Sequence, residues 1–547
     1  MDHVSARRKL LALAATGLVG AGAATTAVMA AQPGGPDLSN VPTANPKSDG
    51  LSPATRLSAE LSETVVAQGS TKLENPSALT SYYGYFNDVL NAAGAPQMLP
   101  TPTTPATEAQ KSEPDKNTYL VLRNLHGADP AYDYGKHFLY QGHEVGSSGA
   151  SYITRINLDA DAAHRVTLLA TKDTSGASIA GIDGSTWDPF ARRLLFTTED
   201  SGAPIYSATP DYPSTVTDIS GALGRSGYEG IQDDSRGDVW ILDDTSGPAK
   251  GTTTAKQPDG YVYRYVPKHP GDFAHGRLQA LQVLDDAGQP ITFESQSALN
   301  SPDQVALHTY GKTFRTRWIT IHDTATDGNA TPFESDQLAH SAHATPFKRP
   351  ENGLFRPGVG FRQFFFDETG DTNATSPEND TAGGWDSIFK LTQHDPGADT
   401  GTLTIFYKGD EAHAGIDNVA WLSHDQVTFV EDAGDTLHTQ RNALDSGFVF
   451  NARADYSNPA NQPVRWLAEG RDPSATIDSA NGGFDKNEGD NEITGAHVSD
   501  GDPSTAGILG ARNPQLGNGH WRWFYTQQHG DNPTYEVTLR QHGWSWF

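Results

Sequence analysis

Six apolar runs in this chain end on carboxylates or polar side chains of the kind that bind cations. Phe138-Leu139-Tyr140 leads to His143-Glu144, and Leu194-Leu195-Phe196 runs through Thr197-Thr198 to Glu199-Asp200. Val239-Trp240-Ile241-Leu242 stops at Asp243-Asp244, and Trp318-Ile319-Thr320-Ile321 at His322-Asp323. Phe364-Phe365-Phe366 stops at Asp367-Glu368, and Val427-Thr428-Phe429-Val430 at Glu431-Asp432. One such acidic strand end is an ordinary solvated turn. Six in series point to a shared site, because carboxylates that converge need cations or protons to remain together. Hard oxygen donors without thiolate select calcium or magnesium, and calcium is the first expectation.

Other local patterns add ligands. Asp183 sits in the Gly/Ser turn Ile182-Asp183-Gly184-Ser185, and Glu229 in a Gly-flanked turn before a strand. Asp417-Asn418 precede another strand, as a turn or as a pair of oxygen ligands. In Lys348-Arg349-Pro350-Glu351-Asn352, proline stiffens the chain between Arg349 and Glu351. Arginine can fork two hydrogen bonds onto a phosphate, so this turn reads as a substrate clamp or as a surface ion pair.

These elements must be positioned by strands. The modules recur at roughly 45 to 80 residues, the spacing of four-stranded propeller blades with inserted loops. Gly and Pro are abundant, at 55 and 34, and no amphipathic helical period runs through the middle. The fold expected is all-β: a single β-propeller of about six blades with long inserted loops, preceded by an export signal and an arm. Glu144, Glu199, Asp243 and Glu431 are expected to face one channel mouth.

In order, residues 1–31 read as a twin-arginine signal peptide: Arg7-Arg8, the apolar run Leu10 to Ala24, and a small-residue exit at Val28-Met29-Ala30. The twin-arginine translocase is therefore a partner during export, and the protein is expected to be secreted, without a stable membrane anchor. Residues 32–117, rich in Pro, Ala and Thr, read as a flexible arm with a helical patch over Tyr82–Ala93. Residues 118–547 form the propeller, with insertions at Thr324–Arg356 and Tyr456–Asp502. The tail Trp521–Asn532 reads as a closing strand, which makes a seventh blade or completes the first. The net charge of -28 and the lack of Lys/Arg clusters argue against nucleic acid as a partner. The absence of cysteine excludes disulfides and thiolate metal sites. A monomer is expected.

From about Tyr119 onward the chain resembles the PhoX-type alkaline phosphatases. The resemblance is carried, in order, by Ile182 to Pro189 with Thr198-Glu199-Asp200, Gly224 to Glu229, Arg349-Pro350-Glu351, Gly415 to Asn418 and Trp521 to Asn532. Those proteins are twin-arginine-exported, calcium-dependent propeller phosphatases with an iron-calcium cluster. The resemblance implies that Arg349 and Glu351 lie at the substrate phosphate next to the metals. It makes Glu229 a metal ligand and puts Glu144, Glu199 and Asp200 in the metal shell. Where the family has an iron-bound cysteine, this chain has Asp183. An iron-thiolate centre is therefore impossible: either carboxylate replaces thiolate, with several calcium ions or another hard ion in place of iron, or this branch has changed or lost its activity.

The leading expectation is a secreted metal-dependent phosphoesterase acting on small phosphate esters, with metal-activated water or oxide as nucleophile. The alternatives are a calcium-dependent propeller lactonase or phytase-like hydrolase, and a non-catalytic calcium-stabilised binding propeller. Asp243, Asp417, Asn418 and Glu431 complete the expected metal ligands.

Overall fold

In a computed structural model of the chain, the described residues are 34–50, 52–98, 109–200, 202–249, 252–292, 301–471, 492–528 and 530–540. The expected signal peptide, 1–31, lies outside them. The rest is six antiparallel blades, named here from the inner strand outward. Blade 1 is Thr118–Val121, His137–Gly142, Ile153–Asn157 and Val166–Ala170, and blade 2 is Ser185–Asp188, Arg193–Phe196, Tyr206–Ala208 and Val216–Asp218. Blade 3 is Tyr228–Asp233, Val239–Asp243, Val262–Pro267 and Gly276–Leu284, and blade 4 is Gly353–Phe355, Gln363–Glu368, Ser387–Gln393 and Thr400–Lys408. Blade 5 is Ile416–Trp421, Gln426–Glu431, Ser446–Asn451 and Val464–Ala468. Blade 6 is Glu492–Ser499, Arg522–Gln528, Thr534–Leu539 and, outermost, Leu61–Ala67. Each inner strand neighbours the inner strands of the blades before and after it, blade 6 meeting blade 1, so the ring is closed.

The blades pack face to face through large apolar side chains, as propeller sheets must. Blades 1 and 2 meet through Phe138, Tyr140, Ile153, Trp187, Leu194 and Phe196. Around Trp240, the rings of Trp318, Phe355 and Phe364 lie 4.8 to 5.1 Å away.

Five of the six acidic modules are second strands of blades. The sixth is not. Phe314–Asp323 is an outer strand that pairs with Gly276–Leu284 of blade 3 and with Thr400–Lys408 of blade 4, joining both blades in one nine-stranded sheet. The segment Tyr456–Asp502 is likewise no simple insertion, since it carries the outer strand of blade 5 and the inner strand of blade 6. The tail completes the sixth blade rather than a seventh or the first.

The expected flexible arm is structural over its described residues. Leu61–Ala67 pairs with Thr534–Leu539 and so closes the ring with strands from both ends of the chain. Arg56–Leu57 adds an edge to blade 5. No helix forms over 82–93; Thr80–Tyr82 and Tyr85–Phe86 make a small hairpin. A stretch crowded with aromatics around Gly84 favours extended backbone, and Tyr83, Tyr85 and Phe86 are fully buried. Tyr83 and Phe86 pack with Tyr119, Leu139, Tyr152 and Phe524 across the seam of blades 6 and 1.

Leu61 is fully buried among Trp466, Ile493, Tyr525 and Val537. Leu61→Ala is expected to lower unfolding stability by about 2 to 5 kcal/mol in chemical denaturation. A residue in a flexible arm would change it by no more than about 0.5 kcal/mol.

Candidate active site and metal centre

Antiparallel pairing sets the start of each inner strand beside the end of the second strand, so every blade delivers two chain passages to one mouth. The amide N–H of Glu144 donates to the Glu113 carbonyl at 2.9 Å, that of Asp244 to Gly227 at 2.7 Å, and that of Asp432 to Gly415 at 2.8 Å. These three carboxylates therefore hold one structural position in blades 1, 3 and 5. The residue just before each turns the other way, because strand side chains alternate faces. His143 bonds with Ser112 and Thr154 between strands. Asp243 accepts from Ser226 at 2.8 Å, Thr245 at 2.6 Å and Tyr263 at 3.2 Å. Glu431 accepts from the Ala414 N–H at 3.0 Å and pairs with Arg441 at 3.1 Å. Asp243 and Glu431, expected as metal ligands, are thus interior anchors, and Asp244 and Asp432 take the facing positions.

Three groups of carboxylates each bring ligand oxygens within 4.8 Å of one another: Asp115, Glu144 and Glu492; Glu144, Asp183 and Glu199; Glu229, Asp244 and Glu351. Of the expected ligands, Glu144, Asp183, Glu199 and Glu229 are gathered, and Glu351 joins them. Asp200 is exposed and belongs to none of the groups. Two glycines explain how Asp183 gets in. A Cβ at Gly181 would lie 1.9 Å from the Glu144 carbonyl oxygen, and one at Gly184 would lie 1.9 Å from that of Glu229. Only glycine lets this turn pass between its two acidic neighbours.

Burial, and then mutual repulsion, push these acids upward in pKa. Glu144 is raised well above the usual carboxylate range by burial and then by Glu199. Asp183 is raised by burial and then by Asp115 and Glu144, and Glu229 by burial and then by Asp183 and Asp417. Glu351 is raised by burial, against the pull of Arg349. Its Oε2 is buried without a hydrogen-bond partner among the described residues. Oxygen-only groups of like charge containing an orphaned carboxylate oxygen fit hard divalent cations.

Arg349 stands at the edge of the third group. Its Nε donates to Asp244 at 2.9 Å, and its Nη2 lies 2.6 Å from Glu351. Burial works against the cation, but Asp244, Glu351, Asp432 and Glu199 hold it charged. Its backbone is left-handed, with φ of 56°, a costly conformation for arginine. The flanks hold it there: Lys348 N–H donates to Glu368 at 2.8 Å, Thr369 N–H to the Arg349 carbonyl at 2.9 Å, and Gly230 N–H to the Glu351 carbonyl at 2.8 Å.

Sequence reasoning missed Asp115, Lys116, Asp244, Asn352, Asp432 and Glu492 as site residues. Lys116, buried, donates to Asn418 Oδ1 at 2.7 Å and to Asn352 Oδ1 at 3.3 Å. Burial lowers its pKa, opposed by Asp417, Asp115, Glu229 and Asp367. Asn418 therefore spends its side-chain oxygen on a lysine, and its amide donates to Asp417 at 2.9 Å. Asn352 donates to Glu229 at 2.6 Å and to Asp417 at 3.1 Å. Gln528 ties Asp115 to Glu144 at 3.0 and 2.9 Å. One signal was available: Asp115, Glu351 and Asp417 each stand just before or at the start of an inner strand, as Glu229 does.

Fold and site together define a β-propeller with clustered carboxylates at one mouth that could hold cations, beside a held arginine. The chain belongs to the PhoX alkaline phosphatase family, whose profile, described as Alkaline phosphatase PhoX, matches residues 209–507. It is accordingly a phosphoesterase of a metal-dependent family, acting on phosphate esters. Its structure is similar to that of Pseudomonas fluorescens PhoX in complex with vanadate, a transition state analogue, with 11% identity, a TM-score of 0.53, and coverage of 92% of this chain and 98% of that one. The WD40 domain of Toxoplasma gondii coronin matches at 9% identity with a TM-score of 0.32, covering 93% and 91% of the two chains. No curated protein sequence matches significantly. Among the described residues, no helix is long and apolar enough to cross a membrane.

The alternation at the end of blade 3's second strand separates two adjacent aspartates. Asp244→Asn is expected to weaken divalent-cation binding at least about tenfold by titration calorimetry. Asp243→Asn is expected to leave binding intact and cost about 1 to 3 kcal/mol of stability, through the hydrogen bonds it loses.

Proposed function

We propose that this protein is a secreted, calcium-dependent phosphatase in which Arg349 grips the phosphate of a small ester beside ions held by the three carboxylate groups. The observation that carries this is Arg349 wedged between Asp244 and Glu351, two members of one cation group. A planar, charged donor adjacent to divalent charge suits phosphate recognition. The export reading rests on Arg7-Arg8 and the Ala/Gly-rich run behind them. Calcium is the metal these donors suit, since all are hard oxygens and the chain has no cysteine.

Asp115, Glu144, Glu492, Asp183, Glu199, Glu229, Asp244 and Glu351 would hold the ions. When bound, such ions neutralise phosphate charge and lower the pKa of an attacking water. The chain's own residues do the positioning. Asp244 and Glu351 fix the guanidinium plane through Nε and Nη2, which leaves Nη1 to donate to a phosphate oxygen. Those two contacts keep the plane in one orientation before substrate arrives, so little ordering is needed as charge builds on the phosphoryl oxygens. Glu351, buried against the arginine, couples the clamp to the cation group.

Arg349→Ala is expected to lower kcat on phosphate monoesters by roughly 10² to 10³ while metal content is retained. Arg349→Lys should restore only part, since an ammonium lacks the planar fork. Unchanged turnover in Arg349→Ala would refute the clamp and reduce the turn to a buried ion pair. Calcium added to metal-free protein should raise the melting temperature, and elemental analysis should find calcium with little iron.

A further inference from the structure

The eight carboxylates of the cation groups are one layer of the mouth, and beneath it lies a second layer of different chemistry. Asp115, Glu351 and Asp417 are each followed, one residue deeper, by a residue that is not acidic: Lys116, Asn352 and Asn418. All three are buried, at 8%, 3% and 1% exposure. In blade 5 a break in the strand register between Ile416 and Val419 lets consecutive side chains, Asp417 and Asn418, both reach the channel. Two amide oxygens, Asn418 Oδ1 at 2.7 Å and Asn352 Oδ1 at 3.3 Å, converge on the Lys116 Nζ. The amide nitrogens of the same two side chains point away from it, to Asp417 and Glu229. Both asparagines are thus turned with oxygens inward, the arrangement oxygen donors adopt around a cation. Asp367 lies in the same electrostatic neighbourhood, and its buried Oδ2 has no hydrogen-bond partner among the described residues.

We propose that the ammonium of Lys116 is a built-in cation that fills the deep end of the acidic channel in the place of a metal ion, so that metal binds only in the carboxylate layer above. The proposal rests on the reading of that upper layer as a cation site, and it adds a boundary to it. A tethered amine cannot diffuse away as a metal ion can, so Lys116 and the two amide oxygens that hold it stay at the floor of the site when the metals leave. It also keeps Asp417 from drawing an ion out of the layer where Arg349 would meet substrate. Asp417 and Asn418 are then partners of lysine, not metal ligands.

The test is to count calcium ions in purified wild-type, Lys116→Ala and Lys116→Arg protein by elemental analysis, with melting curves in chelator and in calcium. Lys116→Ala opens space beside the side-chain oxygens of Asn352 and Asn418, with Asp417 and Asp367 in the same electrostatic neighbourhood. It is expected to bind one calcium ion more per chain than wild type, to melt lower than wild type in chelator, and to recover that difference in calcium. Lys116→Arg keeps the charge and should keep the wild-type ion count. An unchanged ion count in Lys116→Ala would overturn the proposal. Wild-type protein that binds no calcium would instead defeat the metal reading on which it rests. If Lys116→Ala does not fold even in calcium, a crystal of wild type grown in calcium decides: an ion at about 2.3 to 2.6 Å from Asp417 or Asn418 overturns the proposal, and an intact lysine contact without one supports it.

Discussion

Like charges crowded into one mouth are the constraint on which this structure depends. Glu144, Asp183, Glu199, Glu229, Asp244 and Glu351 come from four blades, and each would relax if its blade could lean outward. Burial already lifts Glu144, Asp183, Glu199, Glu229 and Glu351 above the ordinary carboxylate range, so the fold must resist a repulsion that it creates itself. Closed inner strands and aromatic packing between blades supply that resistance. Two basic side chains, Arg349 at the rim and Lys116 below, bring compensating charge, and bound cations would supply the rest.

Ring closure and site assembly are the work of one segment. Leu61–Ala67 completes blade 6, Tyr83 and Phe86 plug the seam with blade 1, and the same chain then delivers Asp115 and Lys116 to the mouth. Loosening the seam would therefore loosen the site directly. Gln528, from blade 6, bridges Asp115 and Glu144 across that seam.

The turn at Arg349 breaks local rules for a reason its surroundings make plain. A left-handed arginine before proline is disfavoured both by its own backbone and by the following ring. It persists because contacts from blades 3 and 4 over-determine it, and the result is a guanidinium already aimed at its two carboxylates. Strain concentrated where sequence-level preference fails is what a preorganised site looks like.

The sequence by itself determined the class. Apolar runs capped by acids mark second strands because such a run must be buried and must then emerge, and five of the six modules keep that meaning. The Gly/Ser turn that carries Asp183 and the stiff Arg349-Pro350-Glu351 segment are equally local signals, legible without a structure. What the sequence could not decide is which of two adjacent acids faces the channel. At Asp243-Asp244 and Glu431-Asp432 the answer depends on register, and a shift of one residue exchanges the two faces. Nor could composition reveal that residues 56–67 belong to the last two blades, because their partners lie about 400 residues or more away in sequence. Lys116 was hidden for the same reason: a lone lysine beside an aspartate has meaning only once six strands set amide oxygens from two other blades around it.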